Sequence, residues 1–255
     1  DVCIILGTAH IITICTNTPT FSSEIGNQIP YIDGKYLKMV SPWVATPNQD
    51  WFLDNFGFNL KEKARENKVN IHNYLEKELS KIHSGADGII YHPYLSPVGE
   101  RCPFTKFSAK ANFFGLSLEH TSLHLLKAIF EGVAFSSQDS ILASKVKVKV
   151  VMVAGGGSKS IVWDSIIANV LGKKVRITNG KEYGAKGAVI NAIVGLGLYP
   201  NYQLAIDKVV KCKKIIEPNY KEHKIYNKYF ELYKKITSHL WNDWEERTKI
   251  LSEIN

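Results

Sequence analysis

No stretch of this sequence holds the roughly 18 consecutive apolar residues that a membrane span needs, and its first residues show no basic flank leading into a signal-peptide core. The expectation is a cytoplasmic protein with no membrane partner. Cysteine is sparse: Cys3, Cys15, Cys102 and Cys212 lie far apart and never in CxxC spacing. Neither a disulfide framework nor a thiolate metal site is expected, and the thiols read as core filler. The Walker pattern GxxxxGK[ST] is absent, which speaks against a P-loop enzyme. Internal repeats and low-complexity tracts are lacking as well.

Positive charge is in excess, 32 Lys and Arg against 24 Asp and Glu for a net +8, and clustered cations would suit nucleic-acid phosphates. Clustering is what is missing. Lys145, Lys147 and Lys149 alternate with Val146, Val148 and Val150, as on the wet face of one strand, and the other basic residues are spread along helices. No nucleic-acid partner is expected. What the chain does have is apolar bulk: 45% of its 255 residues are hydrophobic, enough for a generous core without disulfides or metal. The buried-strand pattern of Val2 to Leu6 stands at the very first residues, which suggests a longer whole protein continuing upstream.

Val2 to Leu6 and Ile11 to Cys15 read as strands joined by the bend Gly7-Thr8-Ala9-His10, with a third strand at Tyr36 to Val40 after the turn Asp33-Gly34. Thr46-Pro47-Asn48-Gln49 carries a helix start, with Thr46 as N-cap, Pro47 at the first helical position and Gln49 closing a capping box. That helix should end near Gly57. A charged helix follows from about Val69 to His83, then a strand at Gly88 to Tyr91. Pro93, Pro97, Gly99 and Pro103 mark a long loop of the kind that is usually functional or mobile. A helix at Thr121 to Ala143 has a core stripe of Leu123, Leu126, Ile129, Phe130 and Val133, with His124, Lys127 and Glu131 on another face. Then come a strand at Val146 to Ala154, a helix at Ile161 to Leu171 closed by Gly172, a strand at Lys174 to Thr178, a helix at Tyr183 to Gly195, and mostly polar helix from Lys208. This order matches half of an actin-like or ribonuclease-H-like ATPase core, an α/β fold with a mixed sheet flanked by helices.

Three features could carry chemistry. Gly155-Gly156-Gly157-Ser158-Lys159-Ser160 links a strand to a helix; glycines there let a ligand approach the backbone, and the helix start offers N–H groups to a phosphate or a polar nucleotide edge. A tight turn alone would explain it equally well. A dinucleotide fold fits poorly, because Ser160 stands where the third glycine belongs and Val175 to Thr178 has no terminal acid for a ribose. At Gly7-Thr8 a glycine admits phosphate oxygens and the Thr hydroxyl can donate to them, although an ordinary hairpin is the plainer reading. In the third, the small residues Gly184, Ala185, Gly187 and Ala188 allow another backbone or a flat adenine close, with helix-to-sheet packing preferred.

Together these segments resemble the FGGY family of carbohydrate kinases, from about Gly7 to Tyr199. The longest match is ANFFGLSLEHTSLHLLKAIFE, Ala111 to Glu131, which fits a family signature through its small residue, aromatic, Gly115, Leu116, seven-residue gap, His124, Leu125, Ala128 and Glu131. GGGSKSIVWDSIIANVLG and YGAKGAVINAIVGLGLY look like the family's adenosine loop and following helix, and GERCPF from Gly99 is similar to its GERxP loop. Lys110-Ala111 replace the usual Arg-Gly, and Pro97-Val98 lengthen the loop before Gly99.

The resemblance implies a C-terminal nucleotide-binding domain over residues 1–255. It implies transfer of the terminal phosphate of ATP, with Mg2+ held through the phosphates and the other domain, to a hydroxyl of a small sugar or polyol. By matching positions, Gly7 and Thr8 would hold the phosphate region, Gly155, Gly156, Gly157 and Ser160 would line the adenosine site, Thr46 would be a further nucleotide contact, and His10 and Ile11 would face the sugar. The general-base Asp is expected upstream of Asp1, which itself lies too near the hairpin to fill that role, so no catalytic residue is assigned within the chain. Most sugar contacts are expected in the N-terminal domain, the chain's principal partner; a homodimer is also compatible. SPWVATPNQDWF, from Ser41, looks closer to the pentulose kinases, L-xylulose kinases among them, than to glycerol kinases. The alternatives are a kinase half for glycerol or another polyol and, from a different class, a non-catalytic actin-like scaffold that binds ATP.

Overall fold

The computed structural model describes residues 1–19, 26–180 and 182–254. Strict alternation at the start of the chain builds the centre of the main sheet: Val2, Ile4, Leu6, Ile12 and Ile14 are fully buried on one face, because successive strand residues point to opposite sides. Strand β1 (Val2–Leu6) pairs antiparallel with β2 (His10–Thr16), which pairs antiparallel with β4 (Tyr36–Val40), itself flanked by β3 (Asn27–Pro30). On its other side β1 lies parallel to β7 (Val151–Ala154), then come parallel β8 (Val175–Thr178) and antiparallel β9 (Cys212–Ile216) at the edge. The order is β3-β4-β2-β1-β7-β8-β9. The fold is the mixed, helix-flanked sheet of an actin-like or ribonuclease-H-like ATPase domain.

Helices α1 (Thr46–Asn55), α2 (Phe58–Glu66) and α3 (Ile71–Leu79) follow β4, and a two-stranded ribbon of β5 (Ile90–His92) and β6 (Asn112–Phe114) precedes α4 (Ser122–Ala143). The expected core stripe of α4 holds, but Lys127 and Glu131 of its second face are buried too. Lys127 Nζ donates to the carbonyls of Leu79 and Ile82, and Glu131 Oε1 accepts from Gly85 N–H and the Tyr226 hydroxyl. Those partners come from distant segments, which a helical period cannot reveal. Helix α5 (Ile161–Leu171) ends at Gly172 with φ +60, as expected, and α6 (Tyr183–Gly195) has the expected bounds.

Several expectations need correcting. The strand expected from Val146 begins only at Val151; Lys145, Lys147 and Lys149 are exposed against half-buried valines, so the alternation persists without a ladder. The polar tail divides into α7 (Tyr202–Val209), the edge strand β9 and the long α8 (Tyr220–Ile254). Thr46 is not an N-cap: Ala45 holds that position without a side-chain cap, so the box with Gln49 does not form. The Thr46 N–H instead donates to Gly7 O at 3.0 Å, and Asn48 anchors the turn through the carbonyls of Val44 and Ala45. The small residues of α6 do not serve packing within the described residues. A Cβ added at Gly184 or Gly187 would meet nothing within 4 Å, and Val189 and Leu196 are 51% and 75% exposed.

Candidate functional site

Parallel pairing of β1 with β7 brings both glycine bends to one end of the sheet, since Ile5 stands opposite Ala154 and the two chains leave the ladder together. Gly155 has φ +90, and a Cβ there would lie 2.5 Å from Leu6 O; a Cβ on Gly157 would lie 2.7 Å from the Leu6 Cβ. Both glycines are therefore required by close approach to the end of β1. Gly156 is different. Its φ of −62 suits any residue, and nothing lies within 4 Å of an added Cβ. It borders a cavity of about 490 Å³ that is also lined by Gly157, Lys159, Ser160, Thr46 and Phe130.

Thr46, Gly156, Gly157 and Ser160 thus meet in one cleft. Gly155 supports the loop from beneath. Gly7 joins through its carbonyl, which accepts from Thr46, while its N–H closes the bend on Ala9 O at 3.3 Å. The free donors at that bend belong to Thr8, which is exposed and has no hydrogen-bond partner among the described residues. His10, expected to face the sugar, does not line this cleft. It is fully buried, with Nε2 2.9 Å from Ser137 Oγ, and burial pulls its pKa down to about 4, so the ring is neutral. Alternation puts its neighbour Ile11, half-buried, on the opposite sheet face. Asp1 is not a site residue either. It is exposed at the far end of β1 from the Gly7 bend, and its carbonyl accepts from Cys15 N–H at 3.1 Å, which puts it at the opposite end of the strands from the cleft.

Sequence reasoning misses the far wall, where α1 gives Gln49 and Asp50 and α3 gives His72, Asn73 and Glu76. An N-cap signal is present in Asn70, whose side chain accepts from Asn73 N–H at 2.8 Å, yet nothing local says that this turn faces the glycine loop. The floor is aromatic: Phe130 stacks on Trp163 at 4.1 Å with planes 3° apart, and Trp163 Nε1 donates to Phe130 O.

Helix α5 starts at this cleft, but its leading N–H groups are already taken. Val162 N donates to Glu76 Oε2, Trp163 N to Ser160 Oγ, and Asp164 N to Ser160 O. With Asp50 and Glu76 also in the wall, this end of the cleft favours an uncharged, hydrogen-bonding ring system over a phosphate. The Thr8 bend, with open donors, suits the anionic end. Among the described residues no group of three or more His, Cys, Asp or Glu could hold a metal ion.

Residues 2–196 match the model of the FGGY family of carbohydrate kinases, C-terminal domain. A xylulose kinase from Staphylococcus epidermidis is 30% identical over 155 residues, 60% of this chain and 31% of that protein. A probable L-xylulose kinase from Haemophilus influenzae is 27% identical over 252 residues, 94% of this chain and 46% of its own length. Among solved structures, ligand-bound xylulose kinase from Lactobacillus acidophilus superposes with a TM-score of 0.82 at 22% identity, covering 96% of this chain and 48% of that one. The chain spans about a third to a half of the length of these proteins.

Proposed function

This chain belongs to the FGGY family of carbohydrate kinases, of which it carries the C-terminal domain, and on that premise we propose that its cleft binds ATP and ADP for phosphoryl transfer to a small sugar, a pentulose such as xylulose being favoured. The adenosine lies between the Gly156–Ser160 loop and the walls from α1 and α3, over the Phe130–Trp163 floor, and the phosphates run toward Thr8. Mg2+ would be held through those phosphates and the other domain, where it would neutralise part of the phosphate charge. Phosphoryl transfer depends mainly on positioning and charge stabilisation. This domain contributes the nucleotide's share, while the contacts that hold the sugar, whose hydroxyl accepts the phosphoryl group, and the base that takes its proton are supplied by the further half that the longer relatives possess. The open apolar face of α6 is a surface on which such a half can rest.

One observation carries the reading. Gly156 has no conformational or packing reason to be glycine, yet it borders the cavity with open space where a side chain would stand. That space is what a ligand resting on the backbone requires. Isothermal titration of the chain with Mg·ADP tests it: the wild type should bind saturably, and Gly156→Val should weaken binding at least tenfold with a melting temperature within about 2 °C of wild type. Equal affinity in the two proteins, or no binding by the wild type, would contradict the assignment. The pentulose preference rests on the Ser41–Phe52 segment and on the xylulose kinases among the relatives, and a substrate panel on the complete enzyme decides it.

A further inference from the structure

The loop that begins at Gly99 places a guanidinium against the segment that runs beside the Gly7–His10 bend. Arg101 lies 3.7 Å over the Trp43 ring, its Nε donates to Ser41 O at 2.6 Å, and its Nη2 donates to Ser41 Oγ at 2.9 Å. Ser41 Oγ in turn donates to His10 O at 3.1 Å, and Ala9 forms an antiparallel bridge with Val44. The segment 41–45 is therefore laid along the first residues of β2, immediately beyond Thr8. Glu100 holds the arrangement from below, its Oε1 accepting from the N–H groups of Trp43, Arg101 and Cys102.

Across this end of the sheet the order is Gly155 after β7, Gly7 after β1, Ala9 before β2, then Trp43 and Arg101. Neighbouring strands lie about 4.8 Å apart, so the platform stands roughly 10 Å beyond the end of β1, away from the adenosine wall. Here Nη1 and the second N–H of Nη2 have no partner among the described residues, and Arg101 is exposed. Trp43 beneath it serves as a stacking surface, its Nε1 being buried. The open edge of the guanidinium suits an oxygen-rich, anionic ligand, and its fork matches phosphate oxygens.

We propose that Arg101, oriented by Trp43 and Ser41, binds the terminal phosphate of the nucleoside triphosphate, so that this domain distinguishes ATP from ADP; this rests on the nucleotide reading above. The test is titration of the chain with Mg·ADP and with a non-hydrolysable Mg·ATP analogue, for wild type, Arg101→Met and Arg101→Lys. Arg101→Met should weaken the ATP analogue about tenfold and ADP less than twofold, with Arg101→Lys between, because an ammonium keeps the charge and loses the fork. A loss shared equally by both ligands, or no loss, in the folded variants overturns the proposal, since a merely structural arginine would not change the ratio. Should Arg101→Met fail to fold, the Arg101→Lys ratio decides alone. Absence of ADP binding by the wild type would instead bring down the nucleotide assignment, and this inference with it.

Discussion

Among the three consecutive glycines, 155 and 157 are tied to Leu6 by contacts that no larger residue could make, whereas 156 is free of any such demand. The distinction separates fold from function within a single turn. A second residue-scale feature is Asp164, fully buried with neither carboxylate oxygen hydrogen-bonded; burial, with Glu76 nearby, raises its pKa from 3.8 to about 8. Between those values the native state keeps the proton and the unfolded chain releases it, so this group's contribution to stability falls as pH rises from about 4 to about 8. Asp164→Asn mimics the protonated form. It should stabilise the protein more at pH 8 than at pH 5, with the larger upward shift in melting temperature at pH 8. Thermal denaturation at the two pH values checks this, and an equal shift at both would show that the acid is not protonated in the native state.

At the scale of elements, the site is a splice: the β7–α5 connection leans on the end of β1, and α1 is hung from the β1–β2 bend through Thr46 N–H and Gly7 O. Gly155→Ala, with positive φ and a clash against Leu6 O, should therefore cost roughly 2–4 kcal/mol, measured by urea denaturation. A cost below 0.5 kcal/mol would mean that the loop does not lean on β1 as described. Ser160→Ala removes the α5 cap to Trp163 and should cost about 1 kcal/mol. Much of this is legible in sequence. α6 has the expected bounds, as do β1 and β4, and α5 and its Gly172 stop as well, because alternation, a Ser cap and a left-handed glycine are local signals. Thr46 misleads because its N–H is satisfied by Gly7, 39 positions earlier, which no capping motif records. The α3 wall and the burial of Lys127 and Glu131 are illegible for the same reason: each depends on a partner far away in the chain.

For the whole molecule, the parallel β1–β7 pairing is the device that makes one cleft from two bends separated by almost 150 residues of chain. The family signature around Gly115 and His124 identifies the architecture from sequence, and the convergence it implies is what the sheet order supplies. The central claim is that one nucleotide spans both bends. The most direct measurement is an amide-resolved NMR titration of the chain with Mg·ADP, following Thr8, Thr46, Gly156 and Ser160. The account predicts that all four resonances shift together along one saturation curve with a single dissociation constant. Shifts confined to Gly156 and Ser160, with Thr8 and Thr46 unmoved at saturation, would contradict it.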